Sequence, residues 1–222
     1  MRSALHRPAF IRANTRLRPV PLVPEISLHL ADEAVPLWQK TEEELAAIGL
    51  PPPYWAFAWA GGQALARYVI DHPDSVAGRR VLDLGSGSGL VAIAAAKAGA
   101  APVVAADIDA FGECAIALNA AANGVHVECL TADLLDGAAS QQPRFDAILV
   151  GDLFYERTTA ERALAFLSRH LTAGAQVLIG DPGRAYLPKQ GLTRLADYAV
   201  PVTRDLEDNE IKHTAVFALT SG

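Results

Sequence analysis

The 222-residue chain is 51% hydrophobic and 20% charged, which allows a sizeable core and excludes wholesale disorder. Nineteen basic against twenty-five acidic side chains leave a formal net charge of −6, a poor basis for gripping a phosphate backbone, so no nucleic-acid partner is expected. Cys114 and Cys129 are too few for a disulfide scaffold or a multi-cysteine zinc site, the histidines lack metal-ligand spacing, and no apolar run spans a bilayer, so neither metal nor membrane is expected.

The first 50 residues stand apart. Arg2, Arg7, Arg12, Arg16 and Arg18 precede the first acid, Glu25, a composition shared with transit peptides. Pro19, Pro21 and Pro24 oppose an amphipathic helix, so a mobile or substrate-facing arm is the preferred reading. Thr41 and Glu44 fit a capping box that opens a short helix over 42–48, closed by Gly49. Pro51, Pro52 and Pro53 then force extended backbone, a hinge between the arm (1–50) and a core (51–222).

Within the core, helix and strand patterns alternate. Helices are predicted over 62–70, 89–99, 110–123, 158–170 and 191–197. Strands are predicted over 80–84, 102–107, 125–130, 145–150 and 175–180, with two final strands over 200–204 and 213–219 able to pair antiparallel. Such alternation implies a parallel α/β sheet covered on both faces, with ligands beyond the carboxyl ends of its strands.

The strongest motif is VLDLGSGSG, beginning at Val81. Gly85, Gly87 and Gly89, with Ser86 between them, let the backbone turn sharply between strand and helix and approach a ligand closely. A dinucleotide fingerprint would place glycine where Leu90 stands, and Asp83 would repel a pyrophosphate. An acid there favours a cationic ligand instead. The pattern resembles motif I of class I methyltransferases, whose cofactor, S-adenosylmethionine, carries a sulfonium and no phosphate. Asp107 ends the next strand and can accept both ribose hydroxyls, with Ile108 beside it, while Asp109 reads as a helix cap. Asp133 resembles the acid that meets the adenine amine, with Leu134 against the purine; a turn carboxylate is the other reading of Asp133.

The strand over 145–150 runs into Gly151, Asp152, Leu153, Phe154 and Tyr155, where class I methyltransferases meet the methyl acceptor. D-x-x-Y resembles the seven-strand protein-lysine methyltransferases rather than the base-amine enzymes. A lysine arrives protonated, and neutralising it at pH 7 costs about 4.6 kcal/mol unless the site lowers its pKa. Asp152 can hold and orient the ammonium, and Tyr155 can supply an aromatic wall and a hydroxyl acceptor; a helix cap and a core tyrosine are the structural alternatives.

PPYWAFAWAGGQALARY from Pro52, the glycine loop, GDLFY, LIGDPGR from Leu178 and TRDLE from Thr203 occur in one order. Together they resemble the electron-transfer flavoprotein β-subunit lysine methyltransferases. That resemblance implies a Rossmann-like fold with a seven-stranded, mostly parallel sheet and one antiparallel strand. It further implies S-adenosylmethionine as cofactor and the flavoprotein β subunit as protein substrate. It places Trp55 and Trp59 at the cofactor's entrance, core packing being the alternative, and Asp181 and Arg184 on the ligand side unless they merely form a turn. A bacterial, cytoplasmic form is expected. A small-molecule amine or amide methyltransferase, and a non-catalytic cofactor-binding partner of the flavoprotein, remain open alternatives.

Overall fold

The computed structural model describes residues 6–31, 52–136, 144–202 and 211–220. The expected helix over 42–48 and Pro51 lie outside these residues. Helix α1 (Arg7–Asn14) leads into an antiparallel hairpin of β1 (Arg16–Val20) and β2 (Val23–Leu30). The core follows as α2 (Ala60–Asp71), β3 (Val81–Leu84), α3 (Leu90–Lys97), β4 (Val103–Asp107), α4 (Ala110–Ala122) and β5 (Glu128–Thr131). It continues through β6 (Ala147–Gly151), α5 (Arg157–Thr172), β7 (Gln176–Asp181), β8 (Leu192–Pro201) and β9 (Ile211–Leu219).

Seven strands form one sheet in the order β5-β4-β3-β6-β7-β9-β8. β9 runs antiparallel to both neighbours, and the remaining strands are mutually parallel, as expected. Strand order reverses between β3 and β6, so the carboxyl ends of β3, β4 and β6 open the crevice in which such sheets bind ligands.

Alternate strand residues feed two cores. Val81, Leu149 and Leu178 pack with Leu65 and Val69 of α2 and Ile93 of α3. Leu82, Ile148, Val150 and Ile179 pack with Phe154 and with Phe166 and Leu167 of α5 on the other face. Near-continuous apolar strands are what a sheet buried on both faces requires.

Two expectations are corrected. Residues 191–197 are not helical: they begin β8. Leu192, Leu195, Ala196 and Ala199 carry helical spacing, but a register shift between Arg194 and Ala196 breaks the strand's alternation. Beyond that bulge, Ala196, Tyr198 and Val200 face the core at a period of two. Nor does the hairpin project as an arm. Val20, Val23, Ile26 and Leu28 are fully buried in the first core. Asn123 Oδ1 accepts from Ser27 N (3.1 Å) and Asn119 Oδ1 from His29 N (2.8 Å), so side chains of α4 satisfy the free edge of β2.

Candidate active site

At the carboxyl end of β3, Gly89 adopts φ +83° and starts α3. Asp83 is buried beneath the loop, where its Oδ2 accepts from Ser86 Oγ (2.6 Å) and Ala92 N (3.0 Å). Burial pushes its pKa up to about 7, assisted by the negative charge of Asp107 and opposed by these two hydrogen bonds. The carboxyl therefore titrates near neutrality, and a cation placed beside it favours its ionised form.

Asp107 ends β4 and accepts from Gly87 N (2.7 Å) through one oxygen and from Asp109 N (2.9 Å) through the other. Each oxygen keeps a second lone pair for a ligand hydroxyl. Asp109 caps α4 through Phe111 N (2.8 Å), as expected. Ile108 is 75% exposed, a large apolar side chain left in water beside Asp107. Asp133 lies at the end of β5, where it accepts from Leu135 N (3.0 Å) and pairs with Arg162 of α5 (2.8 Å). Leu134 is buried in the second core.

The end of β6 is built by close backbone approach. A Cβ on Gly61 would lie 2.2 Å from the carbonyl oxygen of Gly180, and one on Gly151 would lie 2.9 Å from Gly62 Cα. Only glycine lets α2 start against β6 and β7. Asp152 follows at φ +55° and is 8% exposed. Its Oδ2 accepts from the backbone N–H groups of Gly61 and Gly62, the latter at 3.1 Å, and so caps α2. Its Oδ1 accepts Arg184 Nε (3.0 Å) and Nη2 (2.8 Å). Both oxygens are thus committed to the protein, and Arg184 stands where a substrate ammonium was expected. Burial raises the Asp152 pKa, opposed by Arg184 and the two N–H donors. Asp181 holds a turn through Gly183 N and Arg184 N (both 2.7 Å), and burial pushes its pKa up to about 6.

Residues 152–155 and 54–59 bracket the glycine loop. A Cβ on Gly85 would meet Leu153 Cδ1 at 3.0 Å, and one on Gly87 would meet the Tyr54 carbonyl at 3.8 Å. Trp55 is buried and stacks on Phe111 (5.9 Å, 10°), beside Ile11 of α1. Trp59 precedes α2 and donates Nε1–H to the Tyr54 carbonyl (2.9 Å). Tyr155 is 48% exposed, with its ring 5.8 Å from that of Tyr54. Partial burial, with the nearby Tyr54, Glu156 and Asp107, pushes its phenol up to about 12, so it stays neutral and cannot serve as a base near neutral pH.

Of the residues singled out in the sequence, Asp83, Gly85, Ser86, Gly87, Gly89, Asp107 and Ile108 converge on one mouth with Gly151, Asp152 and Tyr155. Asp133 is exposed and paired with Arg162, while Trp55 and Leu134 lie inside cores. Tyr54, whose ring meets Tyr155, was not singled out, though the aromatic density of YWAFAW marked its segment. Among the described residues no group of three His, Cys, Asp or Glu side chains is placed to hold a metal, and no helix is long and apolar enough to cross a membrane.

The family described as "Lysine methyltransferase" matches residues 41–192. An electron transfer flavoprotein beta subunit lysine methyltransferase from Mus musculus is 38% identical over 216 residues, covering 94% of this chain and 82% of the relative. Its namesake from Danio rerio is 40% identical over 202 residues, covering 88% and 76%. A T. Thermophilus 16S rRNA methyltransferase solved with AdoMet and guanosine superposes with a TM-score of 0.55 at 24% identity, over 78% of this chain and 46% of that one. Magnesium protoporphyrin IX methyltransferase from Synechocystis, solved with bound SAM, gives 0.50 at 21%, over 72% and 78%. At these identities the two structures establish a shared fold.

Proposed function

Because the chain belongs to the lysine methyltransferase family, we propose that it methylates lysine side chains of the electron-transfer flavoprotein β subunit, with S-adenosylmethionine as donor. The observation that carries the substrate is the 38–40% identity to relatives of that name along most of the chain.

The residues present fit the cofactor. The glycine loop is lined by carboxylates, Asp83 and Asp107, which suit a cation and ribose hydroxyls and would repel a phosphate. In this reading Gly85, Ser86, Gly87 and Gly89 cradle the amino-acid end and Asp83 faces its ammonium. Asp107 takes the ribose and Ile108 packs on the purine. Asp133 uses its remaining lone pairs for the adenine amine, with Leu134 behind it. Trp55 and Trp59 hold the 54–59 segment over the entrance, and Gly151 leaves room for α2. When bound, the cofactor supplies an electrophilic methyl on a sulfonium.

The chain's own part is positioning and desolvation. The incoming lysine must be neutral to attack. Burial beside a sulfonium lowers its pKa through desolvation and like charge, without a strong base. Tyr155, a neutral phenol, accepts a hydrogen bond from the amine and walls off water. Asp152 acts as a positioning residue: by fixing Gly61, Gly62 and Arg184 it sets the 152–155 turn at the acceptor end.

We further infer a cytoplasmic site of action, consistent with the unpaired thiols Cys114 and Cys129. A nucleic-acid partner is disfavoured by the net charge of −6. Incubation with methyl-labelled S-adenosylmethionine and purified flavoprotein tests the function. Label on the β subunit is expected, and its absence refutes the substrate.

A further inference from the structure

Four aromatic side chains meet at the acceptor mouth. The Tyr54 ring, 43% exposed, stands 5.8 Å from Tyr155 at 45° and 6.1 Å from Trp59 at 55°. Phe57 packs edge-on against Trp59 at 5.6 Å, and the Trp59 indole is tied to the Tyr54 backbone. Two half-exposed tyrosine rings therefore stand against each other above the glycine loop, held from behind, and present one continuous aromatic face. Asp152, three residues before Tyr155, already accepts four protein hydrogen bonds, while Glu156 and Asp107 lend negative charge beside the Tyr155 ring. The faces of these rings add to that charge, since their quadrupole attracts a cation without requiring an N–H donor.

We propose that Tyr54 is a further substrate-positioning residue, its ring forming with Tyr155 and Trp59 an aromatic face against which the lysine cation rests before transfer. This rests on the reading of the chain as a lysine methyltransferase and extends it to a residue outside the D-x-x-Y motif. A hydrophobic contact alone would serve a neutral chain equally well. The aromatic face is defined by its preference for charge.

Calorimetric titration of the enzyme saturated with S-adenosylhomocysteine measures that preference. The probes are Nα-acetyl-Nε-trimethyl-lysine amide and its neutral isostere with carbon in place of the ammonium nitrogen. Wild type is expected to favour the cation by roughly 3- to 30-fold. Tyr54→Leu is expected to lose the preference and Tyr54→Phe to keep it, with S-adenosylhomocysteine affinity unchanged in both. Equal binding of the two probes by wild type, or a preference that survives in Tyr54→Leu, would overturn the proposal. So would a parallel loss of S-adenosylhomocysteine affinity in Tyr54→Leu, which would assign the ring to the cofactor. The titration needs no protein substrate, so failure to label the flavoprotein β subunit is read separately.

Discussion

Removing the Asp152 carboxylate strikes three features at once. Asp152→Ala uncaps the start of α2 by freeing the N–H groups of Gly61 and Gly62, a loss of about 0.5–2 kcal/mol. It strands Arg184, whose side chain is only 21% exposed, and breaking a buried pair from one side costs about 3–5 kcal/mol. Arg184 keeps some water, so the lower end of that range applies. Alanine at φ +55° adds about 1 kcal/mol. The total, about 5 kcal/mol, is comparable with the whole stability of an ordinary domain. Asp152→Asn keeps an acceptor for the helix N–H groups and tolerates the left-handed backbone, losing mainly the charge opposite Arg184, about 1–3 kcal/mol. Urea unfolding followed by circular dichroism should rank wild type above Asn and Asn well above Ala. An Ala variant within about 1 kcal/mol of wild type, or an Asn variant as unstable as Ala, would refute the capping and pairing roles.

The remaining expectations concern the cofactor and the packing. Asp107→Ala should weaken S-adenosylhomocysteine binding at least tenfold, as expected when charged hydrogen bonds of about 1.5–3 kcal/mol are lost; unchanged calorimetric affinity would remove Asp107 from the ribose site. Asp83 has a folded-state pKa of about 7, above its unfolded value, so the group binds protons more tightly in the folded chain. Its contribution to stability is present at low pH and fades as pH rises through about 7. A cationic ligand favours the ionised form, so S-adenosylmethionine affinity should rise from pH 6 to 8, a dependence that Asp83→Asn should flatten. Gly61→Ala would place a methyl against the Gly180 carbonyl; a cost of about 3 kcal/mol lowers Tm by about 6–12 °C, and a Tm equal to wild type would contradict the close approach. Leu28→Ala should cost about 2–5 kcal/mol in urea unfolding, whereas a neutral result would detach the hairpin from the core.

What the sequence revealed follows the range of the interactions involved. The turn at Gly85–Gly89, the cap at Asp109 and the ends of β3 and β4 are set by neighbours a few residues away, and each was legible. The hairpin was not, because its arginines and prolines describe its solvent side. Its burial depends on Asn119 of α4 and on Asn123, which caps that helix, both far along the chain. The start of β8 was obscured by a bulge that gave its apolar residues a helical spacing. At the site, D-x-x-Y marked the turn at 152–155, but the partner of Asp152 could not be read. Arg184 lies on another strand's turn, and Gly61 meets Asp152 only after α2 folds back onto β6 and β7.

The proposed function puts a methyl donor between the glycine loop and the 152–155 turn, its reactive end facing the rings of Tyr54 and Tyr155. A crystal structure with S-adenosylhomocysteine tests it most directly. The ribose hydroxyls should meet Asp107, and the sulfur should face the two rings. A sulfur pointing away from both rings, or a ligand bound outside the crevice between β3 and β6, would contradict the account.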